Sequence, residues 1–275
     1  MQKNTGPSML KHSPPPVGEQ EPPVPPPDET ALFLDLDGTL ADIQPDPGLV
    51  AIPPDTLNTL QQLDRRMDGA LAILSGRPGV DLDRLLYPLV LPYAAGHGAE
   101  RRDRTGKMKQ VPAASSLPAI HADLQTRMAD LPGVWIETKG HGLAVHFRAA
   151  PDFGTHVESA VRAAAAQYPS DFDVQPGKMV FELRPHGVDK GAALRAFMQS
   201  APFAGRRPVM VGDDLTDEAA FIAAHEGGGF GIKIGTGPSS ALCRLDGPRA
   251  LAAWLQRLCG PAAGQPATTT SKEHP

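Results

Sequence analysis

Short, continuous apolar runs alternate along this chain with segments in which apolar residues recur at helical spacing. The runs at residues 31–34, 70–74 and 208–211 have the length and composition of strands that are buried on both faces. A helix pattern begins at Pro53 and ends at Gly69, between the first two runs, and another covers residues 190–199, before the third. Alternation of strands and helices predicts an α/β fold with a Rossmann-like parallel sheet covered by helices.

The middle of the chain has a different pattern. Residues 134–139 and 142–148 predict two strands joined by a Lys-Gly-His-Gly turn, and a helix pattern follows over residues 155–167. Two further short strands are predicted at residues 172–174 and 179–183. We therefore expect an α+β cap inserted in the sheet domain. The predicted boundaries are 30–111 and 187–260 for the core and 112–186 for the cap.

Both ends of the chain are rich in proline or small polar residues. Residues 1–29 contain almost no large apolar side chains, and residues 261–275 are similar. Such segments cannot bury enough surface to offset the entropy lost on ordering, so both are predicted to be disordered tails. A proline-rich ligand for an adaptor domain is an alternative for the first of them.

Composition and charge exclude several classes of function. The 275 residues carry a formal net charge of −5, which gives no electrostatic reason to expect nucleic acid or an anionic membrane as a partner. No apolar stretch approaches the roughly 20 residues needed to cross a bilayer, and the first residues lack a signal-peptide core. Two cysteines without a CxxC motif argue against a disulfide framework or a structural zinc site. We expect a cytoplasmic monomer.

The motif DLDGTL directly follows the first predicted strand, so Asp35 and Asp37 lie where open parallel sheets bind ligands. One carboxylate can act as a nucleophile once a divalent cation masks its charge, and the other can donate and accept the proton. The glycine after them permits a tight turn whose free amides can bind phosphoryl oxygens. The alternative is an ordinary turn at the end of a strand.

Three further motifs lie at strand ends or helix starts. Ser75-Gly76-Arg77 ends the second strand, and Lys190 begins a helix, where it offers a cation for phosphate. GDDLTD, which holds Asp213, Asp214 and Asp217, ends another strand with carboxylates suited to magnesium. Each motif alone could be a turn, a solvated helix start or a helix cap. All four occurring together by accident is improbable, so we interpret them as one site.

This set of motifs resembles the haloacid-dehalogenase-type phosphatases. The resemblance implies an aspartyl-phosphate on Asp35, with Asp37 as the general acid and base. It further implies that Ser75 and Lys190 bind the phosphoryl group and that Mg²⁺ binds Asp35, the Asp37 carbonyl and Asp213. Five other residues would support those groups: Thr39, Gly76, Arg77, Asp214 and Asp217.

Glu137 and Lys139 are expected to share one face of a predicted strand, and Lys178 and Glu182, four residues apart, one face of another. Charged residues on inward-pointing strand faces are energetically costly unless they bind a ligand; a solvated sheet face is the alternative. ETKGHGLAVHFRAAP (137–151), GKMVFELRP (177–185), AGHGAE (95–100) and KIGTG (233–237) resemble the trehalose-6-phosphate phosphatases. This resemblance implies that the cap holds the distal glucose ring of a small sugar phosphate, with His97 at the core–cap junction. The implied ring-binding residues are Glu137, Lys139, Arg148, Lys178 and Glu182.

Three other functions stay open at this point. The chain could hydrolyse another sugar phosphate, such as that of sucrose or glucosylglycerol. It could be a phosphomutase, which shares the aspartyl-phosphate step, or a non-enzymatic regulatory module. The motif residues are all present, which argues against the last. A fused synthase domain has no room in 275 residues.

Overall fold

The computed structural model describes residues 21–260, and its larger sheet has eight strands. Strands β12, β11, β10, β1, β2 and β3 run parallel in that order, and β4 and β5 continue the sheet antiparallel at one edge. The strands of this sheet are β1 (Thr30–Leu34), β2 (Leu71–Leu74), β3 (Tyr93–Ala95), β4 (Glu100–Arg102), β5 (Met108–Gln110), β10 (Arg207–Gly212), β11 (Phe230–Ile234) and β12 (Cys243–Leu245).

Helices cover this sheet, and every residue of the central strand β1 is buried, as expected for a strand enclosed on both faces. The first helix packs against the last, and the fifth against the sixth. One apolar cluster joins the sheet to these helices. The helices are α1 (Pro54–Arg66), α2 (Gly79–Leu86), α3 (Leu117–Met128), α4 (Gly154–Ala165), α5 (Lys190–Met198), α6 (Glu218–Glu226) and α7 (Pro248–Cys259).

A second, antiparallel sheet has the strand order β6-β7-β9-β8. Helices α3 and α4 pack on one of its faces around a separate apolar cluster that includes Val145 and Phe181. The opposite face carries the charged residues that alternate with these apolar ones, so it is free to face a ligand. The strands are β6 (Trp135–Lys139), β7 (Gly142–His146), β8 (Phe172–Gly177) and β9 (Val180–Pro185).

The structure confirms the α/β class with a parallel core sheet and an inserted α+β unit. The cap strands differ in detail from the prediction. Strand β8 extends to Gly177, so Lys178 lies in the two-residue turn before β9 and not on a strand. Arg148 lies two residues beyond the end of β7. The exact domain boundaries stay a prediction.

Residues 21–29 correct the predicted disordered tail, because the structure places them against the core. The indole Nε1 of Trp254 donates to the Pro23 carbonyl at 3.1 Å, and the Arg206 guanidinium donates to the Pro27 carbonyl at 3.2 Å. Proline lacks an N–H but keeps its carbonyl, so a proline-rich segment can accept hydrogen bonds from core donors. The rest of the predicted tails, residues 1–20 and 261–275, lies outside the described residues.

Within residues 21–260, the α-helices are all too short or too polar to cross a bilayer.

Candidate active site

The ends of three neighbouring strands bring the sequence motifs together. Asp35 follows β1, Ser75 follows β2 and Asp213 follows β10, and β1 lies between the other two strands. Because these strands are parallel, their carboxyl ends share one edge of the sheet. Lys190 reaches the same place from the first residue of α5. All four side chains line one cavity of about 820 Å³.

Asp35 is buried at the floor of this cavity. Its Oδ1 accepts a hydrogen bond from the Lys190 ammonium at 2.7 Å, and its Oδ2 lies 3.3 Å from the Thr39 hydroxyl. Burial raises the pKa of Asp35, nearby Asp217 raises it further, and Lys190 opposes both. The carboxylate therefore depends on neighbouring positive charge to stay ionised.

Lys190 joins Asp35 to a second buried carboxylate. Its ammonium lies 2.6 Å from Oδ1 of Asp217, and all three side chains are almost completely shielded from water. Burial lowers the pKa of Lys190, but the charges of Asp217 and Asp35 outweigh it and the net shift is upward. The lysine stays protonated at neutral pH and holds a fixed positive charge beside the Asp35 carboxylate.

Asp217 also fixes the loop that carries Asp213 and Asp214. Its Oδ2 accepts from the Asp214 amide at 2.9 Å, and the Asp214 side chain caps the following turn in return. This reciprocal arrangement is a capping box, which satisfies the free amides at a helix start. The loop after β10 is thus held by contacts within the GDDLTD motif itself.

Asp37 faces the more open part of the cavity, with 37% of its side chain exposed. Arg77 holds it through two hydrogen bonds, from Nε at 2.6 Å and from a terminal nitrogen at 2.7 Å. This hydrogen bond raises the pKa of Arg77. Two parallel hydrogen bonds fix both the position and the plane of a carboxylate, so Asp37 has a defined orientation two residues after Asp35.

An acidic cluster in the site could hold a metal ion. Carboxylate oxygens of Asp35, Asp213 and Asp217 all lie within 4.8 Å of one another. Burial raises the pKa of Asp213, and the charge of Asp217 adds to the effect. The buried Lys233 ammonium donates to the Asp213 backbone carbonyl, which fixes this end of the loop. Oxygen-only donor sets of this kind suit hard divalent cations.

His97 lies over the Ser75-Gly76 turn. Its amide donates to the Ser75 carbonyl at 2.9 Å, and a Cβ added to Gly76 would lie 2.5 Å from the imidazole ring. Only glycine therefore permits this close contact. Burial lowers the pKa of His97 to about 3, and the charges of Lys190, Arg184 and Lys139 contribute to the shift. The imidazole is neutral at physiological pH.

The open face of the small sheet forms the other wall of the cavity. Glu137, Lys139 and Glu182 line it, and the Lys139 ammonium lies 2.5 Å from Oε1 of Glu182. The other oxygen of Glu182 lies 3.7 Å from Nε2 of His97, which links the cap wall to the core. These three of the five residues assigned to ring binding share the cavity with Asp35.

Arg148 and Lys178 do not join them. Both side chains are exposed, and neither lines the cavity. The expectation that Lys178 and Glu182 share a strand face is wrong, because Lys178 lies in the turn between β8 and β9. A four-residue spacing places two side chains on one face only when all the intervening residues are extended.

Several cavity residues had no role in the sequence prediction, among them Arg184 and His141 of the cap. Arg184 follows Glu182 by two residues on β9, and His141 lies in the turn between β6 and β7. The alternation that identified Glu182 also places Arg184 on the same face, so this signal was available. His141 has no such signal, because a turn residue has no fixed face.

Comparison with known proteins gives consistent matches. The family model described as Trehalose-phosphatase matches residues 33–248. The chain is 44% identical, over 229 residues, to a protein of Escherichia coli (strain K12) named trehalose-6-phosphate phosphatase. That match covers 83% of this chain and 86% of the relative.

Solved structures share the fold. The C-terminal domain of Candida albicans trehalose-6-phosphate phosphatase superposes with a TM-score of 0.71 at 24% identity, covering 85% of this chain and 92% of that one. A haloacid dehalogenase-like hydrolase from Bacteroides thetaiotaomicron superposes with a TM-score of 0.63 at 17% identity, covering 82% and 98%. At these identities the likeness bears on the fold alone.

Proposed function

Because this chain belongs to the trehalose-phosphatase family, we propose that it hydrolyses trehalose 6-phosphate to trehalose and inorganic phosphate. The observation that carries the proposal is the buried Asp35 carboxylate at the floor of the cavity, with Lys190 fixed beside it. Opposite it stands a wall of charged cap residues that can hydrogen-bond a sugar.

The reaction has two steps. In the first, an oxygen of Asp35 attacks phosphorus, the bond from phosphorus to the sugar oxygen breaks, and Asp37, which must enter this step protonated, gives its proton to that oxygen. In the second, Asp37 takes a proton from a water molecule as the water attacks phosphorus. The bond between phosphorus and Asp35 then breaks, phosphate leaves and both carboxyl groups return to their first state.

The other core residues position these groups. Lys190 and the Ser75 hydroxyl bind the phosphoryl oxygens, whose charge is balanced by the lysine. Arg77 orients Asp37 through its two hydrogen bonds, and Thr39 lies between Asp35 and Asp213. Asp214 and Asp217 hold the loop after β10.

Mg²⁺ fits the acidic cluster. The cluster has three carboxylates and one ammonium group, that of Lys190, which contacts Asp35 and Asp217, so it carries excess negative charge in a buried place. Both oxygens of Asp217 are already used by Lys190 and the Asp214 amide. That leaves Asp35 and Asp213 of the cluster as ligands, and the resemblance to the haloacid-dehalogenase-type phosphatases adds the Asp37 carbonyl. When bound, it would neutralise charge on the nucleophile and on the phosphoryl oxygens.

The cap wall supplies the sugar specificity. Glu137, Lys139 and Glu182 offer donors and acceptors for the hydroxyls of the distal glucose. Arg148 and Lys178 lie outside the cavity lining in this structure, and their place at the distal ring stays a prediction.

Phosphate release tests the proposal. The panel holds trehalose 6-phosphate, sucrose 6-phosphate, glucose 6-phosphate and an aryl phosphate, each with Mg²⁺ and with a chelator. We expect metal-dependent release that is fastest from trehalose 6-phosphate. Faster release from another sugar phosphate would replace the substrate and keep the chemistry. Sugar-phosphate isomerisation without release would indicate a mutase, and no reaction at all a regulatory protein.

A further inference from the structure

Arg184 differs from the other lysine and arginine residues that line the cavity within residues 21–260. Arg77 is paired with Asp37, Lys139 with Glu182, and Lys190 with Asp35 and Asp217. Arg184 forms no ion pair with a described carboxylate. Its one side-chain hydrogen bond runs to the neutral amide oxygen of Gln175, at 2.7 Å, and its Nε is buried without a partner.

A partly buried guanidinium whose N–H groups lack hydrogen-bond acceptors is unfavourable unless a ligand supplies the acceptors. Burial also lowers the pKa of Arg184, and the charges of Glu182, Asp189 and Asp173 only partly oppose that shift. A guanidinium carries five N–H donors in a planar fork, so one hydrogen bond leaves most of its capacity unused. The matching ligand supplies several oxygen acceptors in the cavity.

The position of Arg184 indicates which part of a ligand it faces. Glu182 and Arg184 lie on the same face of β9, about 7 Å apart along the strand. Arg184 is nearer the end of the strand, after which the chain returns to the core and reaches Lys190 at the start of α5. On the neighbouring strand Gly142 allows a close approach of the two backbones, because a Cβ there would lie 2.1 Å from the Leu183 carbonyl oxygen.

We infer that Arg184 reads the phosphate-bearing sugar ring, hydrogen-bonding its hydroxyls, while Glu182 in the next row reads the distal ring. The inference rests on the proposed function and adds a specificity residue to it. Gln175 is the positioning residue that holds the guanidinium in this place. The phosphoryl group itself is left to Ser75 and Lys190.

Three ligands separate these roles. Trehalose 6-phosphate contains both rings and the phosphoryl group, glucose 6-phosphate contains only the phosphate-bearing ring, and an aryl phosphate contains neither ring. Hydrolysis of the aryl phosphate is followed spectroscopically, and both sugar phosphates are measured as competitors of it. The sugar constants are therefore obtained even for a ligand that turns over slowly.

We expect R184M to raise the inhibition constants of both sugar phosphates by about tenfold, the size expected for loss of hydrogen bonds to a charged donor. The KM of the aryl phosphate should change by less than about twofold. E182Q should weaken the binding of trehalose 6-phosphate and leave the binding of glucose 6-phosphate almost unchanged. R184K keeps the charge without the fork and should fall between R184M and the wild type. The matched control is R162M, on α4, whose arginine pairs with Glu158 and lies outside the cavity lining.

Each other outcome overturns the inference. An equal loss of affinity for all three ligands in R184M would indicate that Arg184 contacts the phosphoryl group. Loss of trehalose 6-phosphate alone would place it on the distal ring, and no loss would remove it from binding. Failure of the wild type to release phosphate from trehalose 6-phosphate would instead reject the proposed function, and it is measured first. Retained aryl-phosphate turnover shows that each variant is folded.

Discussion

The Lys190 ammonium lies 2.6 Å from Oδ1 of Asp217, and both side chains are almost completely buried. Asp217 thereby holds the lysine in the position from which it reaches Asp35. It also accepts from the Asp214 amide, so one carboxylate fixes both the cation of the site and the loop that carries Asp213. The contact explains why a carboxylate that is closed off from the cavity matters for the reaction.

Asp217→Asn should lower both the stability and the activity of the protein far more than the same substitution at a surface aspartate. The amide cannot balance Lys190, and losing one partner of a buried pair typically costs about 3–5 kcal/mol of unfolding free energy. We expect kcat to fall by about a hundredfold or more, because Lys190 loses its fixed position. Denaturant unfolding and phosphate release measure the two effects. The control is Asp123→Asn on α3, a carboxylate that pairs with Arg127 and lies outside the cavity lining. A kcat within about twofold of the wild type would reject this role.

Asp35→Asn should abolish turnover and leave the fold intact. The amide is nearly isosteric with the carboxylate but is not a nucleophile, and Lys190 keeps its bond to Asp217. Because burial raises the pKa of Asp35, removing its charge also relieves a desolvation cost, so stability should stay within about 2 kcal/mol of the wild type. Phosphate release and thermal unfolding test both halves. Measurable turnover above the contaminant level would show that another residue is the nucleophile.

His97 should make stability depend on pH. Its pKa is about 3 in the folded protein against 6.5 ordinarily, so only the unfolded chain takes up a proton between these values. The stabilisation is complete above pH 6.5 and falls as the pH is lowered towards 3. The loss from this group should reach about 2 kcal/mol at about pH 5.

The measurement is the unfolding free energy of the wild type and of His97→Gln at several pH values. Other groups titrate in both proteins, so the difference between the two curves isolates His97. The stability of the glutamine variant should decline less steeply on acidification. Parallel curves for the wild type and His97→Gln would contradict the prediction.

Gly38→Ala should disturb the acidic cluster. Gly38 has φ of +76°, and a Cβ there would lie 2.2 Å from Oδ2 of Asp213. Asp213 must move, so the Mg²⁺ concentration for half-maximal activity should rise by about tenfold or more. Direct Mg²⁺ titration by calorimetry should show the same loss.

Gly235→Ala is the matched control, because Gly235 has φ of +78° and an added Cβ would contact nothing within 4 Å. Both variants carry the backbone cost of a left-handed alanine, about 1 kcal/mol, but only Gly38→Ala crowds a carboxylate. Equal Mg²⁺ dependence in the two variants would show that the contact is unimportant.

The core of the site could be predicted from sequence because it depends on a general property of parallel sheets. Asp35, Ser75 and Asp213 each follow an apolar run, and strands of this kind place their carboxyl ends at one edge. Their convergence in the structure needs no long-range information beyond the strand order. The ion pair between Arg77 and Asp37 was not predicted, because it depends on side-chain geometry.

The cap was harder to predict because its residues depend on where each turn begins. The prediction put Lys178 on the same strand face as Glu182, whereas Lys178 lies in the turn that precedes β9. Met179, in the same turn, has φ of +62°, a conformation that its sequence does not suggest. The alternation along β9 predicts that Arg184 shares a face with Glu182, but Arg184 belongs to none of the motifs from which the site was predicted.

The contact between Trp254 and Pro23 has a practical consequence for anyone who shortens this protein. A cut at the predicted boundary, before Thr30, would delete the carbonyl that receives the indole hydrogen bond and leave a buried donor without an acceptor. The same cut would remove the Pro27 carbonyl from Arg206. Trimming for crystallisation, or placing a cleavable tag, should therefore keep the chain from Glu21 onward.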